Sequence, residues 1–153
     1  MRAFERLRML LARAPRAHDP AFTAQELGRW GEDWAAWYYW SRRGGAVLAR
    51  NWRGGGGELD LVVREGNTLV FVEVKARPAD DPEPLAQVRD PRRQRHFRAA
   101  ASAWLGQLAR PRPAVRFDAL VVSPPPAGDS AVPLFTHHSG ILSLDGRAAP
   151  SVT

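Results

Sequence analysis

Apolar residues recur every three or four positions from Leu27 through Trp30 and Trp34 to Trp37/Tyr38. That is the spacing of a helix whose stripe packs into a core. Ahead of the stripe, Thr23-Ala24-Gln25-Glu26 has the form of a capping box. Behind it, Gly44-Gly45 supplies a stop. A helix is therefore expected from Thr23 to about Arg43. Gly28 and Gly31 lie inside it at a cost in helix stability, which implies close packing against another element. Ala46 to Arg50 is a short strand candidate. The four glycines that end at Gly57 read as a flexible, hairpin-like loop without the Lys-Ser/Thr ending of a phosphate loop.

Glu58 to Arg64 and Thr68 to Arg77 predict two strands joined by the turn Glu65-Gly66-Asn67. In the second, Val70, Val72 and Val74 point one way, and Leu69 and Phe71 the other. A strand apolar on both faces is covered on both sides and lies in the middle of a sheet. The acidic, proline-rich stretch Pro78 to Gln87 predicts a loop. Asp90-Pro91 has the form of an N-cap with proline in the first helical turn. The helix it opens runs to about Ala109, with Phe97, Ala101, Trp104, Leu105 and Leu108 inward. Arg116 to Ser123 and Leu134 to Leu144 are the last strand candidates. Helix, strands, helix, strand, strand is the order of an α/β sandwich with a central mixed sheet. Residues 21–144 form the expected domain, with residues 1–20 a basic flexible arm and residues 145–153 a flexible tail.

Composition narrows the partner. The 153 residues carry a net charge of +6 and a pI of about 11.1, which favours an anionic partner, nucleic acid ahead of membrane. There is no cysteine, hence no disulfide framework, thiolate chemistry or Cys-type zinc site. No apolar run reaches the length of a membrane span, and a cytoplasmic location is expected. Of the 22 basic residues, Lys75 alone is a lysine. Lysine carries a compact, tunable charge where arginine presents a broad permanent fork.

The residues around Lys75 suggest chemistry. Strand alternation puts Glu73 and Lys75 on one face, and Glu58 and Asp60 on one face of the preceding strand. If the two strands are neighbours, all four converge at one end of the sheet. Asp60 and Glu73 are then natural ligands for Mg²⁺ (or Mn²⁺), with the Val74 carbonyl completing the set. Lys75 would orient or help deprotonate the attacking water and neutralise the transition state. Glu32, mid-helix and off the Trp stripe, is a further candidate. The competing reading is a set of surface ion pairs, which are common and worth little.

Gly28-x-x-Gly31-Glu32-x-x-Ala35, Arg50-Asn51-Trp52-Arg53, Gly57-Glu58-Leu59-Asp60-Leu61, Phe71-Val72-Glu73-Val74-Lys75-x-Arg77 and Arg116-Phe117-Asp118 occur in that order. Over roughly residues 23–123 the chain resembles the YraN-like family of uncharacterised bacterial proteins. The resemblance implies a restriction-endonuclease-like α/β/α sandwich, similar to archaeal Holliday junction resolvases. It also implies that Glu32, Asp60, Glu73 and Lys75 occupy that superfamily's three acidic positions and its lysine. Glu58 and Gln87 are weaker carry-overs. The chain departs from the family at Arg92, where a lysine is expected, in its acidic Pro78–Pro84 loop, and around Phe135-Thr136-His137-His138.

These readings lead to a metal-dependent endonuclease acting on DNA, branched or damaged DNA included. Arg50, Arg53, Arg77 and the helix bearing Arg92, Arg93 and Arg95 would contact phosphate without reading sequence. A non-catalytic nucleic-acid-binding module is the first alternative. The second is a protein-interaction factor using exposed Trp37, Tyr39 and Trp40, and a homodimer is expected on that surface and on the resemblance. His137 and His138 face opposite ways on a strand and read as structural or surface residues. Asp118 reads as a neighbour of Arg116, outside the site.

Overall fold

The computed structural model describes residues 14–126 and 131–146. Among the described residues the first helix, α1 (Ala24–Arg43), starts at a complete capping box between Thr23 and Glu26 and stops at left-handed Gly44. Three strands follow, β1 (Ala46–Gly54), β2 (Gly57–Glu65) and β3 (Thr68–Ala76), then the helix α2 (Pro91–Leu105), β4 (Ala114–Ser123) and β5 (Leu134–Leu142). The strands form one sheet in the order β1-β2-β3-β4-β5. Only β3 and β4 run parallel; the other pairs are antiparallel. The expected mixed sheet and central third strand are both present.

The two faces of that sheet carry separate cores. Val70 and Vals 72 and 74 pack with Trp30, Trp34 and Tyr39 of α1. Leu69 and Phe71 pack with Phe97, Ala101 and Leu105 of α2. The result is an α/β/α sandwich. Gly31 lets α1 approach closely, because a Cβ there would lie 2.8 Å from the Ala76 side chain. Gly28 touches nothing in this way, so the packing expected of both glycines holds for Gly31 alone.

Other expectations are corrected. β1 extends to Gly54, and only Gly55 and Gly56 form the turn into β2. The glycines there serve close packing as well as the turn. A Cβ on Gly57 would run into the His96 carbonyl, and one on Gly55 into that of Ala99. α2 ends at Leu105, before Gly106, rather than near Ala109. Within the acidic loop, Leu85 and Val88 are buried against Ala119 and Val121. Tyr39 is completely buried, while Trp37 and Trp40 are half-buried against the α1 core, so Tyr39 drops out of the expected surface patch.

Of the expected basic arm, residues 1–13 lie outside the described residues. Residues 14–22 run against α1. The Arg16 carbonyl accepts both the Trp30 and the Trp34 indole N–H, at 3.1 and 2.9 Å, and His18 lies edge-on to Trp30. Of the expected tail, residues 147–153 also lie outside the described residues.

A buried charge network ties α1 to β4 and β5. Asp118 is fully buried and accepts from Arg116 through both oxygens, from the Tyr39 hydroxyl and from the Gly140 N–H. It also meets His137 Nε2 at 2.7 Å. Burial pushes the Asp118 carboxyl up, but bonds from His137 and Arg116 outweigh this and hold it well below the usual carboxylate range. His137 is structural, as expected. Asp118 is a hub rather than merely a neighbour of Arg116.

Candidate functional site

The site begins where the sheet opens. The β2–β3 ladder ends at the pair Leu61↔Val72, so Asp60 and Glu73 lie just past its last rung. The Asp60 carboxylate fills the gap and accepts the Val74 N–H at 2.8 Å. In an extended strand the N–H and C=O of one residue point to the same side. The Val74 carbonyl therefore also turns toward the opened side, away from the ladder with β4.

A cleft of roughly 510 Å³ occupies this opening. Glu32 reaches it from α1, Glu58 and Asp60 from β2, Glu73, Val74 and Lys75 from β3, and Arg93 and His96 from α2. The structure thus gathers all five candidate catalytic residues, and the opened strand end makes this possible. Regular alternation is not what does it. Leu59 packs in the α2 core and Leu61 in the α1 core, so β2 turns over at Asp60.

Lys75 is 8% exposed. Its ammonium lies 2.8 Å from the Glu73 carboxylate and 3.4 Å from the Gln87 amide oxygen. Gln87, which the sequence reading placed only weakly, is thus a direct neighbour, brought there by the buried anchors Leu85 and Val88. Burial raises the Asp60 carboxyl, and the negative charges of Glu73 and Glu32 raise it further, to about 7 in spite of the Val74 bond. Burial also raises Glu32, while the Asn51 side chain and Arg50 work to keep it ionised.

The donor set suits a hard divalent cation. Hard oxygen ligands predominate, and Mg²⁺ commonly takes only one or two carboxylates. The cleft holds more carboxylates than Lys75 alone can neutralise, and Asp60 is raised for that reason among others. As they stand the side chains are not drawn round one point. Among the described residues no group of three or more His, Asp or Glu is arranged to hold a metal. Asp60 is turned to Val74 and Glu73 to Lys75.

The arginines divide. Arg93 and Arg77 line the cleft, with Arg77 also near Asp81 and Gln87. Arg53 stands largely exposed 3.6 Å from Glu58 at the hairpin tip. Arg50 is paired with Asp33 of α1. Arg92 and Arg95 are exposed on α2 but do not line the cleft. His96 was not among the expected site residues; its exposed place beside Arg93, facing the acids, carries no signal in sequence. No described helix is long and apolar enough to cross a membrane.

Residues 31–122 match the uncharacterised protein family UPF0102. A UPF0102 protein of Parafrankia sp. is 43% identical over 99 residues, 65% of this chain and 83% of the relative. One of Mycolicibacterium vanbaalenii is 40% identical over 116 residues, 76% of this chain and 93% of the relative. One of Mycobacterium avium is 38% identical over 125 residues, covering 80% and 94%. The matched stretch contains every acid of the cleft and its lysine.

Proposed function

This chain belongs to the UPF0102 family, and from that premise we propose that it is a metal-dependent endonuclease on a restriction-endonuclease-like fold, hydrolysing DNA phosphodiester bonds. The observation that carries this reading is the convergence of Glu32, Asp60, Glu73 and Lys75 in one cleft at the open end of a strand pair. Charged side chains that are half-buried and crowded, with one acid raised to about 7, are a costly arrangement and mark functional sites more often than structural ones.

Asp60, Glu73 and the Val74 carbonyl would hold Mg²⁺ or Mn²⁺. Bound there, the metal supplies Lewis acidity and a water of lowered pKa. The protein contributes the rest. Lys75, buried and held by Glu73 and Gln87, presents a fixed positive charge where negative charge develops on phosphorus-bound oxygen. Glu32, raised by burial, is suited to take a proton from the attacking water. Arg93 and Arg77 line the cleft and would hold the DNA backbone, with Arg53 at the exposed hairpin tip beside Glu58 and Arg92 and Arg95 on α2 extending that basic surface. Phosphate contacts of this kind position DNA without reading its sequence. Branched and damaged DNA are the substrates to try first, with a second copy of the chain as the expected partner.

The test is cleavage of labelled four-way junction, flap and linear duplex DNA with Mg²⁺, Mn²⁺ or EDTA, beside Lys75→Ala and Glu73→Gln. Metal-dependent cutting that falls at least ~100-fold in both variants is expected. Equal cutting by the variants would expose a contaminant. Salt-sensitive binding without any cutting would replace the endonuclease by a non-catalytic nucleic-acid-binding module.

A further inference from the structure

Asn51 is the one non-glycine residue among those described with a left-handed backbone, φ 48°. Asparagine tolerates that conformation better than most residues, yet it is usually found in turns. Asn51 instead lies inside β1, where no turn requires it. Backbone strain held in place by the surrounding structure clusters at functional sites.

What the conformation does can be read from its neighbours. The β1–β2 ladder pairs Arg50 with Leu61 and Trp52 with Leu59, omitting the Asn51/Asp60 rung between them. Across that missing rung both strands exchange faces. Arg50 pairs with Asp33 of α1, whereas Trp52 packs in the α2 core. Leu61 belongs to the α1 core and Leu59 to the α2 core. Residues two apart in a regular strand share a face, so the whole ribbon turns over at Asn51/Asp60. Beyond the turnover the hairpin tip reaches α2, where Gly55 and Gly57 press on helix carbonyls. At the turnover itself, Asp60 is free to bond Val74. The Asn51 side chain meanwhile favours the charged form of Glu32 on α1, against the rise that burial imposes.

We propose that Asn51 is the positioning residue of the cleft. Its left-handed backbone turns the β1–β2 ribbon over beside Asp60, and its side-chain amide ties Glu32 of α1 to the same point. The consequence for cleavage rests on the hydrolytic reading of the cleft; the tie to Glu32 does not.

Asn51→Gly keeps the backbone conformation accessible and removes only the amide. Asn51→Ala removes the amide and resists the left-handed backbone as well. Asn51→Gly is expected to melt near the wild-type temperature while Mn²⁺ affinity and Mn²⁺-dependent junction cleavage fall ~10–100-fold. Asn51→Ala is expected to lose the same function and to melt lower. In a melting cycle, Asn51→Gly and Glu32→Ala should be non-additive, as directly interacting residues are. Wild-type Mn²⁺ affinity and cleavage in Asn51→Gly would overturn the positioning role, and additive melting shifts would overturn the tie. If the wild-type chain itself neither binds Mn²⁺ nor cuts, the endonuclease reading fails and the melting cycle alone decides the role of Asn51.

Discussion

Replacing Asp60 by Asn should stabilise the fold at pH 8 and leave it nearly unchanged near pH 3.5. In the native chain Asp60 holds its proton up to about pH 7, against an ordinary value of 3.8. The folded form therefore binds that proton more tightly than the unfolded form does. Stability is unaffected below about 3.8, falls as the pH rises towards 7, and carries the whole penalty above 7. The gap between 3.8 and about 7 amounts to roughly 4 kcal/mol at ~1.36 kcal/mol per tenfold. Water at the cleft mouth screens part of it, and about 1–2 kcal/mol is expected to be measurable. Asn keeps an oxygen to accept the Val74 N–H and carries no charge. For a chain of this size the variant should melt about 2–8 °C higher at pH 8. The assay is circular-dichroism melting at half-unit steps from pH 3.5 to 8.5 in EDTA. A constant difference between the two proteins across that range would refute the reasoning, as would a less stable variant at pH 8. Millimolar Mg²⁺ should then raise the melting temperature of the native chain at pH 8 and leave the Asn variant unmoved.

Three further predictions concern other parts of the molecule. Asp118→Ala removes the buried carboxylate shared by Arg116, His137 and Tyr39, leaving Arg116 with Glu65 alone, and should cost about 3–5 kcal/mol in urea unfolding. Because the Asp118 carboxyl is held well below its ordinary value, its contribution is complete above pH 3.8 and fades only as the pH drops through the folded value, so the variant should lose its deficit in strong acid. Gly57→Ala sets a methyl against the His96 carbonyl and should cost about 1–3 kcal/mol as overpacking does; a wild-type melting curve would mean the hairpin is not clamped to α2. Arg93→Gln should weaken DNA binding equally for all sequences and lower the slope of log affinity against log salt by about 0.9, measured by fluorescence anisotropy, with an unchanged slope excluding Arg93 from the phosphate track.

Much of this architecture is legible in the amino-acid order because capping and alternation are local. Thr23 and Glu26 name the start of α1, and Val70, Val72 and Val74 opposite Leu69 and Phe71 name the centre of the sheet. Asp60, Glu73 and Lys75 are likewise found by their spacing from that strand. The opening of the sheet beside Asp60 is not written in any pattern. It depends on one asparagine taking a left-handed backbone, and the only local hint is that asparagine can. The glycines before Glu58 read as mobile because sequence reports their freedom, not the helix carbonyls that press on them. Asp118 and Tyr39 are undervalued for a related reason. A buried charge is identified by partners from β5 and α1, about 20 and 80 positions away, and no window along the chain sees them.

The single parallel pairing has a kinetic consequence. β1 with β2, β2 with β3 and β4 with β5 are neighbours in the chain and can meet early at small entropic cost. β3 and β4 are joined through the acidic loop and all of α2, so their seam closes over the longest loop in the sheet and is expected to be the slow step. Glu73 and Lys75 lie on that seam, opposite Ala119 and Val121. Those partners also bury the loop that brings Gln87 to Lys75. The cleft is thus expected to be the last part of the molecule to be assembled, and under the proposed function a nascent or partly unfolded chain would carry its arginines before its cutting centre is finished.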